Sequence, residues 1–117
     1  MKMRELARRI GARIYPSSET SNPEIMLVVA ADTASGLIAG ASPQSLLVTG
    51  LANAQLIRIA ELMDAPGLCL AGAVEPGPGL LDPARASGLT IMTSPHGLEK
   101  TRRLLEECLR GAGAART

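Results

Sequence analysis

Aromatic residues are almost missing from this sequence, which has no Trp, no Phe and a single Tyr, Tyr15. A core must therefore be assembled from Leu, Ile, Val, Ala and Met. The flat faces on which single-stranded nucleic acids stack are missing too, so nucleic acid is not an expected partner. Charge imbalance is lacking as well: 12 basic residues stand against 11 acidic ones, for a formal net charge of +1. No field of one sign exists to hold a nucleic-acid backbone or an anionic membrane, and any partner must be recognised by local complementarity.

Histidine occurs once, as His96, and cysteine twice, as Cys69 and Cys108. Two distant cysteines make neither a disulfide framework nor a CxxC pair, and a zinc site would need three or four ligands from this small set. No metal and no cofactor are expected, and two reduced thiols favour the cytoplasm. Long apolar runs are absent. The opening segment MKMRELARRIGARI carries charges throughout, so neither a signal peptide nor a membrane span is expected.

What is present is a regular alternation within 117 residues, a length that suits one domain with its own core. Glu24 to Asp32, Ser45 to Gly50, Gly67 to Gly72 and Leu89 to Ser94 are apolar runs that read as strands buried on both sides. Between them, Thr33 to Ala41, Leu51 to Asp64 and Leu80 to Ser87 have helical composition or spacing. The second is clearest, with Leu56, Ile59, Ala60 and Met63 on one stripe and Arg58, Glu61 and Asp64 elsewhere. This rhythm predicts βαβ units, hence a three-layer α/β/α fold with a mainly parallel central sheet of four to five strands.

The ends complete the pattern. Lys2 to Ile10 places Met3, Leu6, Ala7 and Ile10 on one helical face and stops at Gly11, and Arg13 to Tyr15 suits a short strand. The polar stretch Pro16 to Pro23 suits a surface loop. A last helix is expected from an N-cap at Ser94 and Pro95 at N1 to about Arg110, with Leu98, Thr101, Leu105, Cys108 and Leu109 inward. Its outer face offers the pairs Glu99 with Arg103, Arg102 with Glu106 and Glu106 with Arg110 at i,i+4 spacing. One domain over residues 1–110 is expected, with 111–117 as a frayed tail.

The glycines of LAGAVEPGPGLLDP, Leu70 to Pro83, invite comparison with phosphate-binding loops. Gly72 and Gly77 have P-loop spacing, but Pro78 and Gly79 stand where Lys and Ser or Thr are required. Pro76 and Pro78 have no N–H to point at a phosphate, and Glu75 would repel one. The stretch reads as a stiff βα turn.

The longer segment that runs through it, GAVEPGPGLLDPARASGLTIMTSPHGLEKTRRLL from Gly72 to Leu105, resembles the DRTGG domain family. MRELARRIGARI is similar to that family's opening helix, VVAADTASGLIAGA to its strand, acidic residue and short helix, and SLLVTG to the strand that follows. The resemblance covers most of residues 1–105 and implies the fold of the N-terminal domain of HPr kinases. The naming signature would fall at NPEIMLVVAA, Asn22 to Ala31, which has neither Asp-Arg nor paired glycines. Thr49-Gly50-Leu51-Ala52-Asn53 also lacks the histidine that relatives often carry after this strand.

Ligands of open α/β sheets gather at the carboxyl ends of the strands. Those ends supply the candidate ligand-binding residues Asp32, Thr33, Thr49, Gly50, Asn53, Thr93 and Ser94, with Gly72 and His96 nearby. Asp32, Asn53 and Ser94 equally suit helix caps. A catalytic use of His96 would require it to reach Ser94 or Thr49 with an orienting acid such as Asp32, and no catalytic residue is assigned. The resemblance implies a noncatalytic regulatory or ligand-sensing module, a homodimer, with a nucleotide or other small anion as its ligand. The alternatives are an adaptor for a cytoplasmic enzyme complex and a small enzyme at the carboxyl rim. Leu37, Ile38 and the apolar surface of Leu51 to Met63 are the surface expected to support a dimer.

Overall fold

Apolar runs without alternation need cover on both sides, and the architecture supplies it in three layers. The structure, a computed structural model, describes residues 1–114, with side chains through 111. In chain order the elements are α1 (Met3–Ile10), β1 (Arg13–Tyr15), β2 (Leu27–Ala30), α2 (Ala34–Gly40) and β3 (Ser45–Thr49). They are followed by α3 (Gln55–Leu62), β4 (Gly67–Leu70), α4 (Pro78–Ala86), β5 (Thr90–Thr93) and α5 (Leu98–Ala114). The strands form one sheet in the order β1-β5-β4-β3-β2. β2 to β5 run parallel, and β1 joins antiparallel on β5 with Arg13 opposite Thr93.

Every residue of β3, β4 and β5 is buried. Their side chains divide with the period of two that a strand dictates. Leu47, Leu68, Leu70 and Ile91 pack with Leu37, Leu56, Ile59, Leu80 and Ala84 of α2, α3 and α4. Leu46, Val48, Cys69 and Met92 pack with Met3, Leu6, Ala7 and Ile10 of α1 and Leu105 of α5. Successive strands step along the sheet in one direction, so right-handed crossovers bring α2, α3 and α4 to one face. The other face is covered by the helices from the two ends of the chain.

The first expected strand is corrected in extent and in burial. Only Leu27–Ala30 forms a strand of the sheet, at its edge, while Glu24 makes an isolated bridge to Lys2, and Met26 and Leu27 are each 49% exposed. The dimer surface expected on α3 is corrected as well: Leu37, Leu56, Ile57, Ile59 and Ala60 are core, and on these elements only Ile38 and Leu62 are exposed large apolar side chains. α1 ends as its spacing predicts, with Gly11 at φ +73° as a left-handed C-cap. On α5, Arg102 bonds both Glu99 and Glu106 at 2.8 Å, while Arg103 and Arg110 form no ion pair among the described residues. The helix runs past Arg110 to Ala114, and residues 115–117 of the expected tail lie outside the described residues.

Close approach fixes Gly67. A Cβ at Gly67 would lie 2.5 Å from Met3 Sδ and 3.2 Å from Leu46 Cδ1, where α1 crosses the start of β4. Gly67→Ala is therefore expected to lower unfolding stability by about 1–2 kcal/mol, overpacking outweighing the stiffer unfolded chain. A urea titration showing equal or greater stability would contradict this seating of α1.

The two thiols differ in environment. Cys69 is fully buried, and burial pushes its thiol up to about 12. Cys108 is half-buried, its thiol raised chiefly by burial but less screened from solvent. Because the thiolate is the reactive form, iodoacetamide at mildly alkaline pH is expected to label Cys108 first and Cys69 only after denaturation. Equal labelling of both in the native protein, read by mass spectrometry, would contradict this burial.

Candidate functional site

At the carboxyl edge of the sheet, the connection after β4 leads to α4 on one face and the connection after β5 leads to α5 on the other. Adjacent strands whose connections part to opposite faces leave a crevice between them, the usual place for a ligand in open α/β sheets. The two connections are tied together at its base. The Gly72 N–H donates to His96 O at 2.7 Å, the Ala73 N–H to Ser94 O at 2.9 Å, and the Ser94 N–H to Leu70 O at 2.8 Å. Gly72 at φ +91° and Ala73 at φ +58° turn the chain away from the sheet there. The second is a left-handed conformation that residues with a Cβ adopt at a cost of about 1 kcal/mol or more.

Beneath the crevice lies a closed ring of hydrogen bonds. The His96 N–H donates to Ser94 Oγ at 3.1 Å, Ser94 Oγ lies 2.8 Å from Thr101 Oγ1, and the Thr101 hydroxyl donates to His96 O at 3.2 Å. Since Thr101 gives its proton to the carbonyl, Ser94 must donate to Thr101, and the direction around the ring is fixed. Ser94 and Thr101 are both buried. The expected N-cap is thus corrected: α5 opens at Leu98, and Ser94 locks the turn before it. His96 reaches back with Nε2 3.1 Å from the carbonyl of Ile10 at the end of α1. A carbonyl only accepts, so Nε2 carries the hydrogen.

The remaining sequence candidates fall into two groups. Asp32, Thr33, Thr49, Gly50 and Asn53 sit beyond β2 and β3, while Thr93 and Ser94 sit at β5, up to three strand spacings or about 14 Å away. In the first group most polar atoms serve the local backbone. Thr33 caps α2 by accepting from the Gly36 N–H at 3.1 Å, Thr49 Oγ1 accepts from the Leu51 N–H at 3.2 Å, and Asn53 Oδ1 accepts from the Gln55 N–H at 3.0 Å. Asp32 is exposed beside Gly50, whose Cβ would lie 3.7 Å from Asp32 Oδ1.

The second group opens onto a shallow cavity of about 180 Å³, lined by Gly11, Arg13, Ala73, Val74, Glu75, Thr93, Ser94 and Pro95. Arg13 and Thr93 are direct neighbours on the β1–β5 ladder, so their side chains rise together from one face. The Arg13 guanidinium lies over the Tyr15 ring, 5.5 Å from its centre, which steadies it by cation–π attraction. Among the described residues neither the guanidinium nor the Thr93 hydroxyl has a hydrogen-bond or ion-pair partner. A larger cavity of about 330 Å³ lies at the opposite edge of the sheet, between the ends of α3 and α4. Its charged side chains are Glu61, already bonded by the Ser87 hydroxyl at 2.9 Å, and Asp64. That lining disfavours an anion. Sequence inspection missed Arg13, because nothing in RIY says that a terminal strand pairs beside Thr93.

The hydroxyl ring makes a measurable demand. Thr101→Val keeps the shape but leaves the Ser94 hydroxyl and the His96 carbonyl each short of a partner. Unfolding stability is expected to fall by about 1–3 kcal/mol in a denaturant titration. A neutral substitution would show that the ring is dispensable.

No family model matches this sequence, and no curated protein matches it. Among solved structures, the fold is similar to the CBS and DRTGG domains of the regulatory region of Clostridium perfringens pyrophosphatase, complexed with the activator diadenosine tetraphosphate. The TM-score is 0.68 at 19% sequence identity, over 88% of this chain and 45% of that one. The chain therefore spans about half the length of the structure it matches, and the likeness is one of fold. The mainly parallel α/β sheet of four to five strands expected from the sequence is present with five, and its fold is similar to that DRTGG/CBS regulatory region.

Proposed function

We propose that this chain is a noncatalytic, DRTGG-like regulatory module that senses a small anion through the crevice between β4 and β5, and that it acts as a cytoplasmic homodimer. The observation that carries the proposal is the pair Arg13 and Thr93, a guanidinium and a hydroxyl without hydrogen-bond or ion-pair partners among the described residues, side by side at the carboxyl-edge crevice where the chain changes faces. A cation with adjacent donors is what a phosphate or carboxylate requires. A cavity of about 180 Å³ takes one such group and leaves the rest of a larger ligand outside. Glu75, on the other wall, offers an acceptor to a ribose hydroxyl or an amino group. The nucleotide activator in the similar pyrophosphatase region supports a nucleotide as the first class to try. Thr93 and Ser94 remain in this site as walls. Asp32, Thr33, Thr49, Gly50 and Asn53 are assigned to the connections that frame β2 and β3.

The noncatalytic reading is supported by the orientation of His96. Its Nε2 is engaged by the Ile10 carbonyl, and the Ser94 hydroxyl is held inside the ring with Thr101, so histidine and serine do not form a nucleophile and base.

The test is thermal denaturation with inorganic phosphate, mononucleotides and diadenosine tetraphosphate. A ligand that binds the folded state at a hundred times its Kd stabilises it by about 2.7 kcal/mol, which raises Tm by several degrees. At least one phosphate-bearing compound is expected to do so for the wild type and to lose most of its effect on Arg13→Gln. If none shifts the wild type, or if Arg13→Gln responds equally, the sensing site is refuted, and recovery of an enzyme complex by pull-down would then favour the adaptor.

A further inference from the structure

We propose that a second copy of this chain docks along the open edge of β2 and joins two five-stranded sheets into one; this rests on the homodimer reading above and names its interface. β2 is the last strand of the sheet. The Leu27 N–H bonds Gln44 O at 3.1 Å and the Ala31 N–H bonds Val48 O at 3.0 Å. Because strand amides alternate in direction, those of Val28 and Ala30 point away from β3, and neither N–H has a backbone partner among the described residues. Soluble proteins guard such edges with Lys, Pro or a bulge. The segment LVVA has none of these.

Beside the edge runs a groove of about 280 Å³ lined by Met26, Leu27 and Val28 and, from α5, by Glu106, Leu109 and Arg110. Met26 and Leu27 are two of the four exposed large apolar side chains, and both border this groove.

Symmetry and charge select the occupant. Two copies related by a two-fold axis bury the same patch, and two identical edge strands can then pair only antiparallel. An axis through facing Val28 residues lets each Val28 exchange both backbone hydrogen bonds with its counterpart. The same axis lays the two α5 helices side by side in opposite directions on one face of the joined sheet. Glu106 and Arg110, one turn apart on the groove wall, then meet Arg110 and Glu106 of the second copy. Arg110 has no ion-pair partner of its own among the described residues, whereas Glu106 shares only Oε1 with Arg102. The charge order is complementary to itself, and Met26 and Leu109 of both copies fill the space between.

The experiment is sedimentation or light scattering of the full chain at tens of micromolar, with circular dichroism to confirm folding. The wild type is expected to be a dimer. Val28→Pro removes an N–H that no backbone bond among the described residues uses, as an edge strand tolerates, and Leu27→Lys places a charge on a half-exposed position. Both are expected to be folded monomers. Arg110→Glu sets carboxylates against each other and is expected to weaken the dimer at least tenfold, and adding Glu106→Arg to it is expected to restore association. A monomeric wild type overturns the homodimer reading and this interface together. A dimer that survives Leu27→Lys and Arg110→Glu overturns this interface alone and leaves the homodimer standing. Should Val28→Pro fail to fold, Leu27→Lys and the charge reversals decide the matter.

Discussion

Three adjacent strands without an exposed residue impose a demand on everything around them. β3, β4 and β5 send Leu47, Leu68, Leu70 and Ile91 to one side and Leu46, Val48, Cys69 and Met92 to the other, and both sets must leave water. Right-handed crossovers supply helices to a single side as the strands step along the sheet. The second side is closed only by α1 and α5, so the chain has to change faces after β5. That change opens the crevice beside the connection after β4, where Ala73 makes a left-handed turn, and the ring of Ser94, Thr101 and His96 holds the redirected chain. The candidate site is thus a consequence of how the core is covered.

Polar groups near the crevice divide by the same logic. Those that hold connections are fully engaged: Thr33, Thr49 and Asn53 accept from nearby amides, and Ser94 and Thr101 satisfy each other in the interior. Buried donors and acceptors without partners are costly, and none is found among the described side chains. At the cavity, Arg13, contributed by the antiparallel strand β1, and Thr93 have no side-chain hydrogen-bond or ion-pair partner among the described residues. The Arg13 guanidinium lies over Tyr15, the single Tyr of a chain without Phe or Trp, whose ring packs against the core and also supports the proposed site.

Covering becomes thinner toward β2. This strand has a neighbour on one side only, and its apolar residues, which in a central position would be buried, are half-exposed beside α5. The apolar run Glu24 to Asp32 looks the same in sequence as the runs that form β3 and β5. Its different fate comes from its place at the end of the strand order, and the same place leaves its outward amides available to another strand.

Several features were legible from the residues alone because they depend on local physics. The stripe Met3, Leu6, Ala7 and Ile10 with Gly11 behind it specifies a helix and its end, and apolar runs spaced by helical segments specify a parallel sheet. The prolines between the glycines of Gly72 to Gly79 ruled out a phosphate loop by removing its donors. Ser94 before Pro95 was misleading, since a capping residue and a hydroxyl that locks a turn have the same signature, and which one forms depends on Thr101 lying opposite. Arg13 carried no signal at all, and Glu75 signalled only repulsion of a phosphate. Their meeting depends on β1 pairing antiparallel with β5 and on the chain leaving β4 and β5 toward opposite faces. Sequence by itself determined the elements and their order. Only the tertiary structure decided which strand is an edge and which polar groups are free, because both follow from contacts between segments far apart in the chain.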